Sequence, residues 1–250
     1  MSGADGTLTT SATRNLFEVE RCFVACAAHE LRGELTLQRA LAEAALRDAN
    51  ADKDSLREMG YGVVAACERQ ERLLEALLTL SRSDHGPLRR EPVDLAATAA
   101  ELLRAHEHRA LRRTMALAPA RTTGDPLLVE RLVANLIENA VRHNLPGGRL
   151  DIATYTVAGH AIFTIANTGP VIPIGELPRL FEPFQRRDSH EHPFADGLGL
   201  GLAIVQSIAD AHDAIISAQA QAGGGLRMEI SFPHQRTRGE AATANAYQRL

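Results

Sequence analysis

The chain has 250 residues, a net charge of −4, 45% hydrophobic residues, 4% aromatics and no tryptophan. That length suits one large domain or two ordinary ones, with a core of Leu, Val, Ile and Ala, and the absence of a dense Lys/Arg run argues against nucleic-acid binding. No run of about 18 apolar residues marks a membrane span, Met1 to Thr13 lacks the regions of a secretory signal, and three cysteines without disulfide spacing suit a reducing compartment.

Residues 1–13 read as a disordered lead-in. A helical pattern runs from Arg14 to Arg47: Phe23, Ala27, Leu31 and Leu35 recur every four residues, and Leu37, Leu41 and Ala44 continue the apolar face. A turn rich in Asp and Asn follows, then a second helix from about Ser55 to Ser83 with Val63, Val64, Cys67, Leu73, Leu74 and Leu77 on its stripe. Such a hairpin cannot bury its apolar face alone, and a second copy would complete a four-helix bundle, so a homodimer is expected. The competing reading of this segment is a coiled-coil hairpin without catalysis.

The first helix carries Ala27-Ala28-His29-Glu30-Leu31-Arg32. A neutral imidazole can attack through one nitrogen while a neighbouring carboxylate holds or removes the proton on the other. The alternative is a solvated helix face on which the two are mere neighbours. Cys22 and Cys26 share a stripe with His29, but without a fourth ligand they read as small bundle fillers rather than a metal site.

Asp84-His85-Gly86-Pro87 opens a linker that runs to about Pro92. Asp94 caps a helix from Leu95 to about Arg109, and strand-like runs follow at Thr114–Leu117 and Ala120–Thr123. Asp125-Pro126 starts a helix that ends near His143. Leu150–Val157 and Ala161–Ala166 flank Ala158-Gly159-His160 as a hairpin. A loop at Asn167–Gly175, a short helix at Glu176–Phe181, a helix after Gly201 reaching His212, and strands at Ala214–Ala220 and Leu226–Phe232 complete the second half. The tail, 235–250, reads as flexible. The expected architecture is a helical hairpin over 14–85 followed by a two-layer α/β sandwich over 93–234.

Four stretches of the second half carry chemistry. Gly197-Leu198-Gly199-Leu200-Gly201 precedes a helix, where small residues and unpaired N–H groups can receive phosphate; no Gly-Lys-Ser/Thr follows, so it is not a P-loop. Asn135 and Asn139 lie four apart on one helix face, where their amide oxygens can meet a hard cation, with Arg142 and His143 one turn on. Asn167-Thr168-Gly169-Pro170 places a side-chain oxygen before a tight turn, where it can read an amine. Leu180-Phe181-Glu182-Pro183-Phe184 offers apolar anchors. The remaining histidines, His212 among them, read as surface or loop residues, with His190 and His192 placed in a lid.

Taken together and in this order, these motifs resemble those of the sensor histidine kinases of two-component signalling, from about Phe17 to Phe232, with wording similar to the actinobacterial OmpR-type branch. The resemblance implies a dimerisation and phosphotransfer hairpin followed by a Bergerat-type ATP-binding domain. It makes His29 the phospho-acceptor and Glu30 its general base. Asn139 would hold Mg²⁺ on the ATP phosphates, with Asn135, Arg142 and His143 lining that site. Asn167 and Gly169 would form the adenine loop, and Gly197, Gly199, Leu200 and Gly201 the lid and phosphate turn. The partners would be a second copy and the receiver domain of a response regulator. The location would be the cytoplasm, or the cytoplasmic portion of a membrane-bound sensor.

Some positions depart from the family pattern. Gly33 and Glu34 stand where Thr or Asn and then Pro are usual; Gly33 cannot orient water, which argues against phosphatase activity. Without the proline the helix loses a kink. Asn167 replaces the usual Asp, and Val171 a glycine. These changes frame an alternative: a degenerate kinase that binds ATP and docks a partner without turnover. A third reading, an ATPase or serine kinase sharing only the ATP domain, is opposed by the hairpin that carries His29.

Overall fold

A computed structural model describes residues 31–33, 35–47, 52–85, 89–105, 111–184 and 199–233. His29, Glu30, Cys22, Cys26, Glu34, Gly197, His190, His192, the lead-in and the tail lie outside them. The chain divides into two compact units, Met1–Leu77 and Leu78–Leu250.

In the first unit, helical residues 31–33 and 35–47 (α1) pair with α2, Lys53–His85. The Asp52 carboxylate accepts from the Ser55 N–H at 2.8 Å and caps α2. The helices run antiparallel: Gln38 on α1 donates to both Cys67 Sγ and Gln70 Oε1 on α2, each at 3.3 Å. Where Leu41 crosses Gly62, a Cβ on the glycine would lie 3.0 Å from Leu41 Cδ1. Ala66, Leu73 and Ala76 are buried, while Leu35, Leu46, Leu56, Tyr61, Val64 and Leu74 are exposed. The hairpin thus retains a second apolar stripe that its own two helices leave uncovered.

The second unit is a helix layer on a five-stranded sheet of order β2-β4-β5-β7-β6, beside a two-stranded β1-β3 ribbon. Its elements are β1 (Glu91–Asp94), α3 (Leu95–Ala105), β2 (Arg112–Leu117), β3 (Arg121–Gly124) and α4 (Pro126–Arg142), then β4 (Arg149–Val157), β5 (His160–Asn167), α5 (Gly201–Ala211), β6 (Ile215–Ala220) and β7 (Leu226–Phe232). β2 and β4 are parallel and the other sheet pairs antiparallel. The register sets Ile152 opposite Ile165 and Ile165 opposite Met228, an apolar row across the sheet. That row and its neighbour Phe163 face Leu132, Leu136, Ile204 and Ile208 of the helices, all of them buried.

Three expectations need correction. The linker near Pro92 contains a strand, β1; its proline sits in a two-stranded ribbon, where one missing donor is tolerated. The short helix after the Asn167 loop is two 3₁₀ turns, Ile174–Glu176 and Pro178–Phe181, because Pro178 has no N–H to extend the first into an α-helix. His212 is not a surface or loop residue: it is 2% exposed.

Candidate functional site

The asparagine pair is positioned by α4. Asp125 starts that helix as expected, its Oδ1 accepting from the N–H groups of Leu127 and Leu128 at 3.0 and 3.3 Å. Leu128, Leu132 and Leu136 turn one face into the core, and Asn135 lies buried in that same face. Its Nδ2 donates to the Arg131 carbonyl at 2.9 Å, which commits the amide nitrogen and turns Oδ1 away as an acceptor. Oδ1 lies 3.5 Å from where a Cβ on Gly201, the first residue of α5, would stand. The asparagine motif and the second glycine motif, 66 positions apart, are therefore adjacent.

Asn139 is half-buried one turn beyond Asn135, and its side-chain amide makes no hydrogen bond among the described residues. Arg142 and His143 are exposed at the end of the helix. At α5, Leu200 occupies the cap position without a side-chain hydrogen bond. The first-turn N–H groups thus lack that cap and form an electropositive helix end beside Asn135.

The third edge is the loop after β5. Asn167 ends that strand on its inner face, 5% exposed. Its Nδ2 donates to the Thr168 carbonyl at 2.8 Å and more weakly to the His143 carbonyl at 3.5 Å. Both partners are acceptors, so the amide orientation is fixed and Oδ1 remains the outward acceptor. His143 thus meets Asn167 through its main-chain carbonyl. Gly169 is forced: a Cβ there would lie 2.6 Å from the His143 carbonyl oxygen.

Several positioning residues were not singled out from sequence. Asn144 clamps the end of α4. Its Oδ1 accepts from Thr168 Oγ1 at 2.6 Å, and its Nδ2 donates to the Arg149 carbonyl at 3.0 Å. Gln221, in the β6–β7 turn, donates to the Asn167 carbonyl at 2.8 Å. Gly225 follows at φ 99°, its N–H donating to the Pro170 carbonyl at 3.0 Å, and a Cβ on it would overlap the Asn167 carbonyl. The one available signal was the Gly223-Gly224-Gly225 triplet; its partner lies in a loop more than 50 residues earlier. Finally, the Phe184 N–H donates to the Gly199 carbonyl at 3.0 Å, with Phe184 at φ 62° and Gly199 at φ 67°.

A hard cation takes oxygen ligands. Among the described residues no group of three or more His, Cys, Asp and Glu converges on one point. The amide oxygens of Asn135 and Asn139 are ligands suited to a cation that also grips phosphate, and that of Asn135 stands beside the electropositive end of α5.

Residues 124–236 match the model of the histidine kinase-, DNA gyrase B- and HSP90-like ATPase family. Over 222 residues the chain is 40% identical to the sensor protein CutS of Streptomyces coelicolor, covering 87% of this chain and 53% of that protein. It is 33% identical over 208 residues to a probable sensor histidine kinase, TcrY, of Mycobacterium tuberculosis, covering 81% and 44%. The chain thus spans about half the length of the curated relatives it matches. Among solved structures, histidine kinase AdeS of Acinetobacter baumannii superposes with a TM-score of 0.65 at 25% identity, covering 83% of this chain and 98% of that one. The mycobacterial sensor histidine kinase MprB gives a TM-score of 0.51 at 29% identity, covering 59% and 99%.

Proposed function

The chain belongs to the sensor histidine kinases with an ATPase domain of the histidine kinase, gyrase B and HSP90 type, and from that premise we propose that it phosphorylates itself on His29 with ATP and passes the phosphoryl group to an aspartate of a response regulator receiver domain. The observation that supports the reading is the adjacency of the Asn135 Oδ1 and the open start of α5, with Asn167 tied to the C-terminal end of the same α4 through the His143 carbonyl.

In this reading the Asn167 Oδ1 accepts from the adenine amine. The first turn of α5 receives phosphate oxygens. Asn139, with Asn135 beside it, would hold Mg²⁺, which would supply charge neutralisation on the phosphates for in-line transfer. Arg142 and His143 line the outer edge, and Gly197, Gly199 and Leu200 shape the approach to the phosphate turn. One ring nitrogen of His29 attacks the γ-phosphorus; the N–P bond forms as the bond to the ADP oxygen breaks, and Glu30 takes the proton from the other ring nitrogen. The hairpin pairs with a second copy. The chain acts in the cytoplasm as part of a sensor. No helix among the described residues is long and apolar enough to cross a membrane.

The test is incubation with Mg²⁺ and γ-labelled ATP. Acid-labile, base-stable label is expected, absent in His29→Gln and in Asn139→Ala. Saturable ATP binding with no label in the wild type sinks the kinase reading and restores the docking-only alternative, which no observation on the described residues otherwise favours.

Phosphatase activity toward the regulator is expected to be weak, because Gly33 has no side chain to orient water. Gly33 is exposed, and a Cβ there meets nothing within 4 Å. Gly33→Asn is therefore expected to fit and to raise regulator dephosphorylation by roughly tenfold, about 1.4 kcal/mol of barrier. A loss of regulator phosphate that is equally fast with wild type and variant would refute this.

A further inference from the structure

His212 closes α5, and its ring is bound on both sides. Nδ1 lies 2.7 Å from the Ile208 carbonyl oxygen and must donate to it; Nε2 accepts from the Asp125 N–H at 3.0 Å. A ring that donates from one nitrogen and accepts at the other is neutral, and the two partners fix its tautomer. Phe232 stands edge-on at a centroid distance of 6.2 Å. On the opposite side only a glycine fits, since a Cβ on Gly124 would lie 2.5 Å from His212 Cδ2. The imidazole therefore joins the last turn of α5 to the residue whose own carboxylate caps α4.

We propose that His212 is a positioning residue for nucleotide binding: its neutral ring locks the start of α4 to the end of α5, so fixing Asn135 opposite Gly201, and its protonation releases that register. The proposal rests on the reading of Asn135 and the start of α5 as part of the ATP site. Asn135 lies ten residues along α4 from Asp125, about 15 Å at the helical rise. A helix transmits a shift at one end over such a distance. Protonation would set a second N–H against the Asp125 N–H and leave that amide without an acceptor. The charged groups facing the ring are Asp125 before α4, Asp213 after α5 and Arg90 before β1. Burial, helped by Arg90, holds the imidazole below its ordinary range against the Ile208 carbonyl and the two aspartates. The lock is thus closed at neutral pH and opens in acid.

The test uses the full chain. Mg²⁺–ATP affinity is measured at pH 7.5 and 5.5 for the wild type, His212→Gln and His212→Phe, alongside amide hydrogen exchange of residues 126–142, corrected for intrinsic rate. Glutamine keeps an acceptor that does not titrate. It is expected to bind within about threefold of wild type at pH 7.5 and to outbind it severalfold at pH 5.5. Phenylalanine fills the space without an acceptor, and about a tenfold loss is expected at both pH values, the loss of one buried hydrogen bond. Exchange in α4 should rise in acid in the wild type but not in the glutamine variant. Reading variants against wild type at each pH cancels titration of the nucleotide itself. Retained ATP binding with α4 exchange insensitive to acid, or equal acid losses in wild type and His212→Gln, or full affinity in a folded His212→Phe, each overturns the positioning role alone. No saturable ATP binding by the wild type at pH 7.5 overturns the nucleotide reading, and the role with it.

Discussion

At the scale of single residues, the site is organised by amides whose orientation is decided by carbonyl neighbours. Asn167 is the clearest case. Sequence comparison within the family would treat it as an uncharged stand-in for aspartate, yet its nitrogen bonds two main-chain oxygens. Asn167→Asp would put a carboxylate oxygen against those carbonyls. The substitution is therefore expected to weaken ATP binding by about tenfold, the loss of one buried hydrogen bond, even though it restores the commoner residue. Calorimetric titration checks this, and unchanged or tighter binding would show that the carbonyl contacts of the Asn167 amide do not decide the residue. His212 yields a second expectation. Its folded pKa lies below the unfolded value near 6.5, so the folded state binds fewer protons between the two. Its contribution to stability is complete above pH 6.5 and is lost as pH falls through the lowered folded value. The melting temperature should drop in that acid window in the wild type and drop less in His212→Gln.

At the scale of elements, the β6–β7 turn is as much a part of the site as the helices. Gly225→Ala forces a left-handed φ on alanine and drives its Cβ into the Asn167 carbonyl. A destabilisation of about 2–4 kcal/mol is expected, together with weaker ATP binding because the Asn167 loop is displaced. Thermal melts and nucleotide titration of the same variant read both. This coupling explains what could be read in the sequence. Local signals worked: Asp125-Pro126 announces α4, alternating residues announce β4, and glycines announce α5, whereas β5, expected to alternate, is buried along nearly its whole length. The proximity of Asn135 and Asn139 followed from helical period alone. What escaped were contacts across long stretches of chain: Gln221 to Asn167, 54 positions apart, and His212 to Asp125, 87 apart. No periodicity encodes such pairs, and a histidine ending a helix has the same local wording whether buried or solvated. β1 escaped for another reason, since four residues that include a proline carry no strand period.

At the scale of the whole molecule, the exposed apolar stripe on the hairpin sets the oligomeric expectation. Leu56, Val64 and Leu74 are about half exposed on α2, and each would gain roughly 1–2 kcal/mol if covered by a second copy. Leu74→Glu is expected to shift the sedimenting species from dimer toward monomer at micromolar concentration. A wild type that sediments as a monomer would remove the basis for a two-copy bundle. The link between Phe184 and Gly199 has a consequence of a different kind. Phe184 and Gly199 are 15 positions apart in sequence yet joined by a main-chain hydrogen bond, so the separation of these two ends is set by the described scaffold. For two ends held in this way, each doubling of a flexible connection costs only about 0.6 kcal/mol of closure entropy. Changes of length between Phe184 and Gly199 are therefore expected to leave the pairing of these two residues intact.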